Sequence, residues 1–262
     1  MVNNKIILPL EAKKPRAGDS KNVTSADAHH FAVGSILGDG SISKRDLNLE
    51  IESKSATFAT WKRDLAKDLG LISVHAKDTT SWELKIAGKK IRLPLTVKNH
   101  SLKKTSNTTK RYYRSFSFVT RSVFYDAQWR DSFYEPLPNP KRGKEFRKKV
   151  PSNIKELFWS DFALAIWYLD DGTFDPQKGT ARLAAGEWTE SECELMQECL
   201  KDNFNLTTSL YKSNGVPHHF YVKVDSYPEF YKRIKPTIDK LLAAYPKAGI
   251  STGLIGKMRL KP

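Results

Sequence analysis

Two segments of the chain place a carboxylate in the same local setting. Residues 31–40 and 163–172 are both apolar, contain small residues at intervals, and end in Asp-Gly, at Asp39 and at Asp171. Small residues allow two helix backbones to approach each other closely. The helix dipole disfavours an aspartate at the carboxyl end of a helix by about 0.3–1 kcal/mol. The repeated pattern therefore indicates that both aspartates serve a purpose other than helix stability.

If the two helices pack side by side, Asp39 and Asp171 lie close together, and two like charges at close range are costly unless a cation lies between them. Carboxylate and backbone carbonyl oxygens are the hard ligands that a divalent cation such as Mg²⁺ prefers. Such a site can hydrolyse phosphodiesters with metal-activated water. The plain alternative is that both are ordinary helix-ending turns, since Asp-Gly is a common dipeptide.

The charge of the chain favours a polyanionic partner. The 262 residues include 44 Lys and Arg against 29 Asp and Glu, which gives a formal net charge of +15. Residues 84–125 contain eleven Lys and Arg and no acidic residue. Residues 112–119 alternate as a β-strand does, so a basic sheet face is predicted. Basic residues clustered on strands are typical of nucleic-acid binding, and a solvated or membrane-surface patch is the alternative.

The elements that must position the two aspartates occur twice along the chain. Helical spacing predicts helices over 27–37, 58–71, 123–133, 157–169, 190–206 and 228–244. Alternation predicts strands over 47–52, 112–119 and 181–185, and hairpins over 82–93 and 209–224 that turn at Gly88 and at Asn214-Gly215. The order helix, strands, helix, strands, helix appears twice, which predicts an internal duplication.

This repeat divides the chain into five predicted parts. They are an N-terminal arm (1–25), a first repeat (26–136), a linker rich in Pro, Gly and charge (137–153), a second repeat (154–248) and a C-terminal tail (249–262). A duplicated chain forms a pseudo-dimer, which suits a ligand with approximate two-fold symmetry such as duplex DNA.

The paired segments resemble the motifs of the LAGLIDADG homing endonucleases in their monomeric, two-motif form. The resemblance lies in Ile36-Leu37-Gly38-Asp39 and Tyr168-Leu169-Asp170-Asp171-Gly172 and extends over residues 26–250. It implies an α/β (α+β) fold of two pseudo-symmetric αββαββα repeats whose sheets form a DNA-binding saddle. It implies a site-specific endonuclease that cuts both strands of a long asymmetric duplex, leaves 3′ overhangs and promotes the mobility of its intron or intein.

The resemblance also assigns metal ligands. In the family the last acidic residue of each motif binds the metal, which gives Asp39 and Asp171. The preceding positions hold Gly38, whose carbonyl oxygen is a candidate ligand, and Asp170, a less certain one. Mg²⁺ is the cofactor that the resemblance implies, with Mn²⁺ or Ca²⁺ as substitutes at the same site.

Further residues near the hydrolytic centre follow from the resemblance. Relatives place one lysine of each half there, which gives Lys149, with its neighbour Lys148 as the other match, and Lys247. Relatives often carry glutamine after each motif, where this chain has Glu50-Ile51-Glu52 and Ala185-Gly186-Glu187. Acid in place of amide puts the polar surroundings of the metal water in doubt, but not the metal pair.

The predicted DNA contacts are basic residues on or beside the strands. Arginine is best suited to read guanine edges, and most lysines are expected to contact phosphate. The candidates in the first half are Lys44, Arg45, Lys54, Lys85, Arg92, Arg114 and Arg121, and those in the second half are Lys178, Arg182, Lys212 and Lys223. The expected partner is double-stranded DNA, bound by a monomer away from any membrane. An intracellular, organellar location is implied by the resemblance alone.

Three other functions remain open from the sequence. An intron-RNA-binding maturase on the same fold needs the basic saddle but not the aspartate pair. A transcription regulator on this scaffold is expected to add a helix-turn-helix domain, for which residues 249–262 are too short. A ribosome-associated structural protein explains the charge but not the duplicated Asp-ended helices.

Histidines and cysteines are not predicted to do chemistry. His29-His30 and His218-His219 are expected to cap helices or to lie on the surface, because adjacent histidines do not converge on one face. The two cysteines, Cys193 and Cys199, point in different directions on a helix, which excludes a disulfide framework and a structural zinc site.

Overall fold

The structure is a computed structural model that describes residues 25–44, 48–53, 55–71, 82–86, 89–93, 96–101, 112–120, 127–141 and 144–244. The first half contains α1 (Ser25–Leu37), β1 (Ser41–Ile42), β2 (Leu49–Ser53), α2 (Ala56–Asp68), β3 (Trp82–Ile86), β4 (Lys89–Leu93), β5 (Thr96–Ser101), β6 (Tyr112–Val119) and α3 (Ala127–Phe133). The strands β7 (Tyr134–Lys141) and β8 (Lys144–Lys148) connect the halves. The second half contains α4 (Ile154–Leu157), α5 (Asp161–Asp171), β9 (Gly172–Asp175), β10 (Thr180–Ala184), α6 (Glu190–Phe204), β11 (Thr208–Ser213), β12 (Val216–Val222), a 3-10 turn (Val224–Ser226) and α7 (Tyr227–Ala244).

The two halves share one topology. The antiparallel sheet of the first half has the order β1-β2-β6-β5, and that of the second half has the order β9-β10-β12-β11. Each set of four strands follows its motif helix in the same order along the chain, so the predicted duplication and the mixed fold of helices and antiparallel sheets are confirmed. The β3–β4 hairpin, also predicted, pairs from Trp82↔Leu93 to Ile86↔Lys89 and is inserted between α2 and β5.

Local signals determine where the outer helices begin. The Ser55 hydroxyl accepts a hydrogen bond from the Phe58 amide and caps α2. A complete capping box opens α6, where Thr189 and Glu192 each accept a hydrogen bond from the other's amide. The helix ends at Asn205, which adopts the left-handed conformation that asparagine tolerates. The predicted helix over 190–206 is therefore confirmed to within two residues.

Two segments differ in local structure from what the sequence suggests. The Pro-rich stretch predicted as part of a linker belongs to the antiparallel pair of β7 and β8, which begins at Tyr134↔Lys148. A two-stranded ribbon has free edges, where prolines without an N–H are tolerated. The helix predicted over 157–169 is two helices, because the Ser160 hydroxyl accepts a hydrogen bond from the Phe162 amide and starts α5 afresh.

The motif helices α1 and α5 pack against each other at the centre of the molecule. A β-carbon added at Gly34 would overlap the carbonyl oxygen of Ala163, so the two backbones are in direct contact there. Residues 163–169 of α5 are completely buried, as expected for a helix that is apolar on all sides. One continuous apolar core therefore spans both halves.

Three of the four paired histidines differ from the predicted surface position. His29 and His30 are buried beside the central helices, and His219 is buried while His218 is exposed. The His30 ring packs edge-on against Trp159, with ring centroids 4.4 Å apart. Burial and the neighbouring His29 lower the pKa of His30 to about 4. The two cysteines lie on a helix, α6, as predicted, and are buried free thiols.

Among the described residues, no helix is both long enough and apolar enough to cross a bilayer.

Gly34→Ala tests the direct contact between the central helices. Alanine normally stabilises a helix interior by about 1 kcal/mol relative to glycine. Here we expect the free energy of unfolding to fall by about 1–3 kcal/mol, because the added methyl group forces the backbones apart. Denaturant titration measures both this variant and Ala243→Gly, a reverse exchange at an exposed helical position. A more stable Gly34→Ala variant would contradict the close packing.

The buried His30 predicts a pH-dependent stability. Its pKa in the folded protein, about 4, lies below the unfolded value of about 6.5, so the unfolded chain binds more protons between these pH values. The free energy of unfolding should therefore decrease as the pH falls from 6.5 to 4, by at most about 3 kcal/mol from this residue. His30→Gln should flatten this dependence in denaturant titrations, and an unchanged dependence in this variant would contradict the role of His30.

Candidate active site

Asp39 and Asp171 occupy equivalent places at the carboxyl ends of the two motif helices. Asp39 follows α1 in a turn and is exposed, and Asp171 is the last residue of α5 and is partly buried. The helices run in the same direction, since Gly34 contacts the first turn of α5 and Gly38 contacts Asp170 near its end. Both carboxylates therefore lie at one end of the interface between the halves.

Lys148, at the end of β8, brings a positive charge to this end. Its Nζ donates a hydrogen bond of 2.7 Å to the carbonyl oxygen of Gly38. Burial lowers the pKa of Lys148, and the nearby charges of Asp171 and Asp39 oppose that shift. The ammonium group thus lies within the field of both predicted metal ligands and bonds a carbonyl that is itself a predicted ligand.

Of the two adjacent lysines, the structure brings Lys148 to the site. Lys148 lines an open cavity of about 370 Å³ together with Gly38, Asp171, Gly186 and Glu187, whereas Lys149 does not line it. The backbone amide of Lys149 instead donates to Phe133. The predicted Lys247 lies outside the described residues. The segment Ala185-Gly186-Glu187, predicted to adjoin the metal, thus reaches the cavity through its last two residues.

Arg147 anchors the backbone next to Lys148. Its guanidinium bonds Glu135 on β7 and, through two nitrogens at 2.8 and 3.2 Å, Glu192 at the start of α6. It also donates to the carbonyl oxygen of Lys148 at 3.3 Å. These contacts raise the pKa of Arg147, chiefly through the Glu192 hydrogen bond. The connecting hairpin is therefore fastened to the second half at the point where Lys148 enters the cavity.

Asp170, the less certain of the predicted metal ligands, is buried and paired with a lysine. Both of its oxygens accept hydrogen bonds from Lys62 Nζ, at 2.9 and 2.8 Å. Lys62 lies on α2 of the first half, so this ion pair crosses between the halves. Gly38 leaves room for the Asp170 side chain, because a β-carbon at residue 38 would overlap it.

Sequence reasoning did not identify Lys62 or Arg147. A signal for Lys62 exists, since it follows Trp61 on the apolar stripe of α2 that also contains Phe58 and Leu65. A lysine within such a stripe is buried with a partner or extends along it, and only the structure identifies the partner. No comparable signal exists for Arg147, whose partners lie 12 and 45 residues away.

The predicted DNA contacts lie on several strands and turns. By backbone position, Lys85, Arg92 and Arg114 lie on β3, β4 and β6. Lys44 follows β1, Lys178 lies between β9 and β10, Arg182 is on β10, Lys212 is on β11 and Lys223 follows β12. Arg45, Lys54 and Arg121 lie outside the described residues.

The structure shows contacts for three of the predicted DNA-binding residues in the second half. Arg182 pairs with Tyr221 across the sheet, whereas its neighbour Leu183 is fully buried. Since successive residues point to opposite faces, Arg182 lies on the face away from the core. Lys178 Nζ lies 3.7 Å from the centre of the Tyr221 ring, and Lys212 forms an ion pair with Glu190. This sheet thus has a basic and aromatic outer face.

The donor set at the helix ends fits Mg²⁺. In the described part of the chain, no group of three or more His, Cys, Asp and Glu side chains is arranged to hold a metal. Mg²⁺ does not need one, because it is usually held by one or two carboxylates and completed by water and substrate phosphate oxygens. Asp39 and Asp171 are two such carboxylates. Asp171 lines the open cavity, Asp39 follows the lining residue Gly38, and soft ligands are absent among the described lining residues.

Comparison with known proteins agrees with this architecture. The family model for the LAGLIDADG DNA endonuclease family matches residues 29–230. The solved structure of the homing endonuclease I-WcaI bound to its DNA recognition sequence has 18% sequence identity and a TM-score of 0.56, over 83% of this chain and 84% of that one. A structure of I-DmoI in complex with DNA and Mn gives 12% identity and a TM-score of 0.39, over 81% of this chain and 97% of that one.

A curated relative is the cytochrome b mRNA maturase bI2 of Debaryomyces hansenii, which is 35% identical over 92 residues. The alignment covers 35% of this chain and 34% of the maturase, so the match spans about a third of that protein. The family model, in contrast, includes both motif helices and both sheets. The chain, with its duplicated topology and paired motif helices, belongs to the LAGLIDADG DNA endonuclease family.

Proposed function

We propose that the protein is a metal-dependent, site-specific DNA endonuclease that hydrolyses both strands of a long asymmetric duplex. The observation that carries the proposal is the placement of Asp39 and Asp171 at adjacent ends of two helices in backbone contact, with the Lys148 ammonium group in the field of both carboxylates. Intron or intein mobility and a monomeric state remain predictions from the family resemblance.

The residues have separate roles in this proposal. Asp39 and Asp171 would each hold divalent metal at one of two adjacent hydrolytic centres, one for each DNA strand, with the Gly38 carbonyl as a further oxygen donor. A divalent ion at this place supplies an activated water and stabilises the leaving oxygen of the phosphodiester. Lys148 attracts the negatively charged phosphate to the cavity and, through its bond to Gly38, fixes the turn that carries Asp39. The outer faces of the two sheets position the duplex through phosphate contacts.

Replacement of either aspartate should separate cleavage from binding. Asp39→Asn and Asp171→Asn remove a charged ligand but keep the size of the side chain, so we expect lost cleavage with retained DNA binding. Incubation of a randomised duplex library with Mg²⁺, followed by sequencing of the cut ends, measures cleavage and identifies the target together. The wild type should enrich one long site with 3′ overhangs.

The control is Asp239→Asn, an exposed position on α7 where Asp239 pairs with Lys235. This variant should cut like the wild type. Loss of binding by both active-site variants would contradict a purely catalytic role for the aspartates.

Salt dependence tests the role of the sheet face. Lys223 is exposed at the end of β12, and if it contacts a phosphate, Lys223→Gln should reduce the slope of log affinity against log salt by about 0.9. Lys235→Gln on α7 provides a matched control, since this exposed lysine is paired with Asp239 on a helix that packs against α5. Equal slopes for both variants and the wild type would place Lys223 outside the interface.

The second candidate function is an intron-RNA-binding maturase. The observation that favours it is the 35% identity over 92 residues to a cytochrome b mRNA maturase. The same library distinguishes the two functions. Should the wild type neither cut nor bind any duplex but retain a structured intron RNA in a binding selection, the maturase becomes the better proposal. A protein that cuts DNA and also binds such RNA would have both functions.

A further inference from the structure

A buried ion pair links the first half to the catalytic end of the second. The Lys62 and Asp170 side chains are 0% and 1% exposed, and the ammonium bonds both carboxylate oxygens. The Lys62 Nζ also lies 5.6 Å from the ring centres of Phe31 and Phe58, which surround it with apolar atoms. The pair is thus shielded from solvent one residue before the metal-binding Asp171.

The Lys62–Asp170 pair has no counterpart at the equivalent positions of the other repeat. Lys62 is the seventh residue after the Ser55 cap of α2, and the seventh residue after the Thr189 cap of α6 is Met196, which is fully buried. Asp170 precedes Asp171, and Gly38 precedes Asp39. The symmetric positions therefore hold Met196 and Gly38, which carry no charge, so the polar link exists on one side only.

Stability alone does not account for a buried pair. Replacing a buried ion pair with apolar side chains of similar size is often neutral or stabilising, because desolvation of the charges offsets their attraction. The second half itself uses the apolar solution at Met196. The pair instead contributes orientation. Its two hydrogen bonds turn the Asp170 carboxylate towards α2 and fix the rotation of the last turn of α5.

We propose that Lys62 is a positioning residue that, through Asp170, orients Asp171 and makes the two catalytic centres unequal. The inference rests on the proposed endonuclease function. Asp39 is held differently, by a turn whose Gly38 carbonyl accepts from Lys148. The cleavage of one DNA strand therefore depends on the Lys62–Asp170 pair, and the cleavage of the other does not.

Strand-resolved cleavage tests this inference. Lys62→Met removes the link, and Lys62→Met/Asp170→Ala copies the apolar arrangement of Met196 and Gly38, so the double variant leaves no unpaired buried charge. A supercoiled plasmid that carries the target site shows nicked intermediates, and a duplex with distinct end labels reports the rate for each strand. In both variants we expect one strand to be cut about tenfold to a hundredfold more slowly, with nicked circles accumulating.

Controls separate positioning from folding. Lys67→Met, at an exposed position of the same helix, should leave both rates unchanged. DNA affinity and the thermal midpoint of the double variant should stay close to those of the wild type. Asp170→Asn keeps an oxygen that accepts from Lys62, so it should retain more activity than Asp171→Asn. A metal-binding carboxylate at Asp170 would instead make these two variants equally inactive.

Several results would overturn the inference. Equal slowing of both strands, or unchanged rates in a folded double variant, would show that the pair does not act on one centre. If neither Lys62 variant folds, the pair is a structural requirement rather than a positioning device. A wild-type protein that cuts neither strand would refute the proposed function itself, a result distinct from symmetric slowing.

Discussion

The direct contact between two helix backbones is the constraint on which the rest of the structure depends. Gly34 lies against the Ala163 carbonyl with no room for a side chain, and one turn later Gly38 lies against Asp170. Helices in such close contact bring their carboxyl ends, and the residues after them, to one place. The order of strands after each motif helix is the same in both halves. Two sheets of equal topology thus share one central pair of helices.

This constraint creates an electrostatic problem that the neighbouring elements resolve. Three aspartates, Asp39, Asp170 and Asp171, lie at helix ends that already carry partial negative charge. Lys62 on α2 and Lys148 on β8 bring positive charge to the same region, but each in its own way. Lys62 is enclosed and neutralises a single carboxylate, whereas Lys148 lines the cavity and interacts with all three through its charge. The carboxylates of Asp39 and Asp171 are the two that the proposed function assigns to metal binding.

The parts of the site that the sequence predicts are those encoded in local patterns. An Asp-Gly after a run of small and apolar residues identifies Asp39 and Asp171, and spacing alone reveals the duplication. Lys62, Arg147 and the choice of Lys148 over Lys149 depend on which strand or helix lies opposite, a tertiary fact. The β7–β8 hairpin was missed because prolines suggest a loop, whereas the pairing of Tyr134 with Lys148 depends on the two ends meeting. His29 and His30 were misplaced because burial beside the central helices is equally non-local.

Among the described residues, departures from symmetry occur at the interface between the two halves. The connecting hairpin is fastened by Arg147 to Glu192 of the second half and delivers Lys148 to the carbonyl of Gly38 in the first. A duplication of identical units would offer two equal aspartate settings. Here Gly38 faces Asp170 across the interface. The glycine carries no charge, whereas the buried Asp170 carboxylate is paired with the buried Lys62. Because the close contact leaves space for one such side chain, the second motif could acquire its extra carboxylate only opposite a glycine. The backbone contact that creates the site thus also makes its two sides unequal.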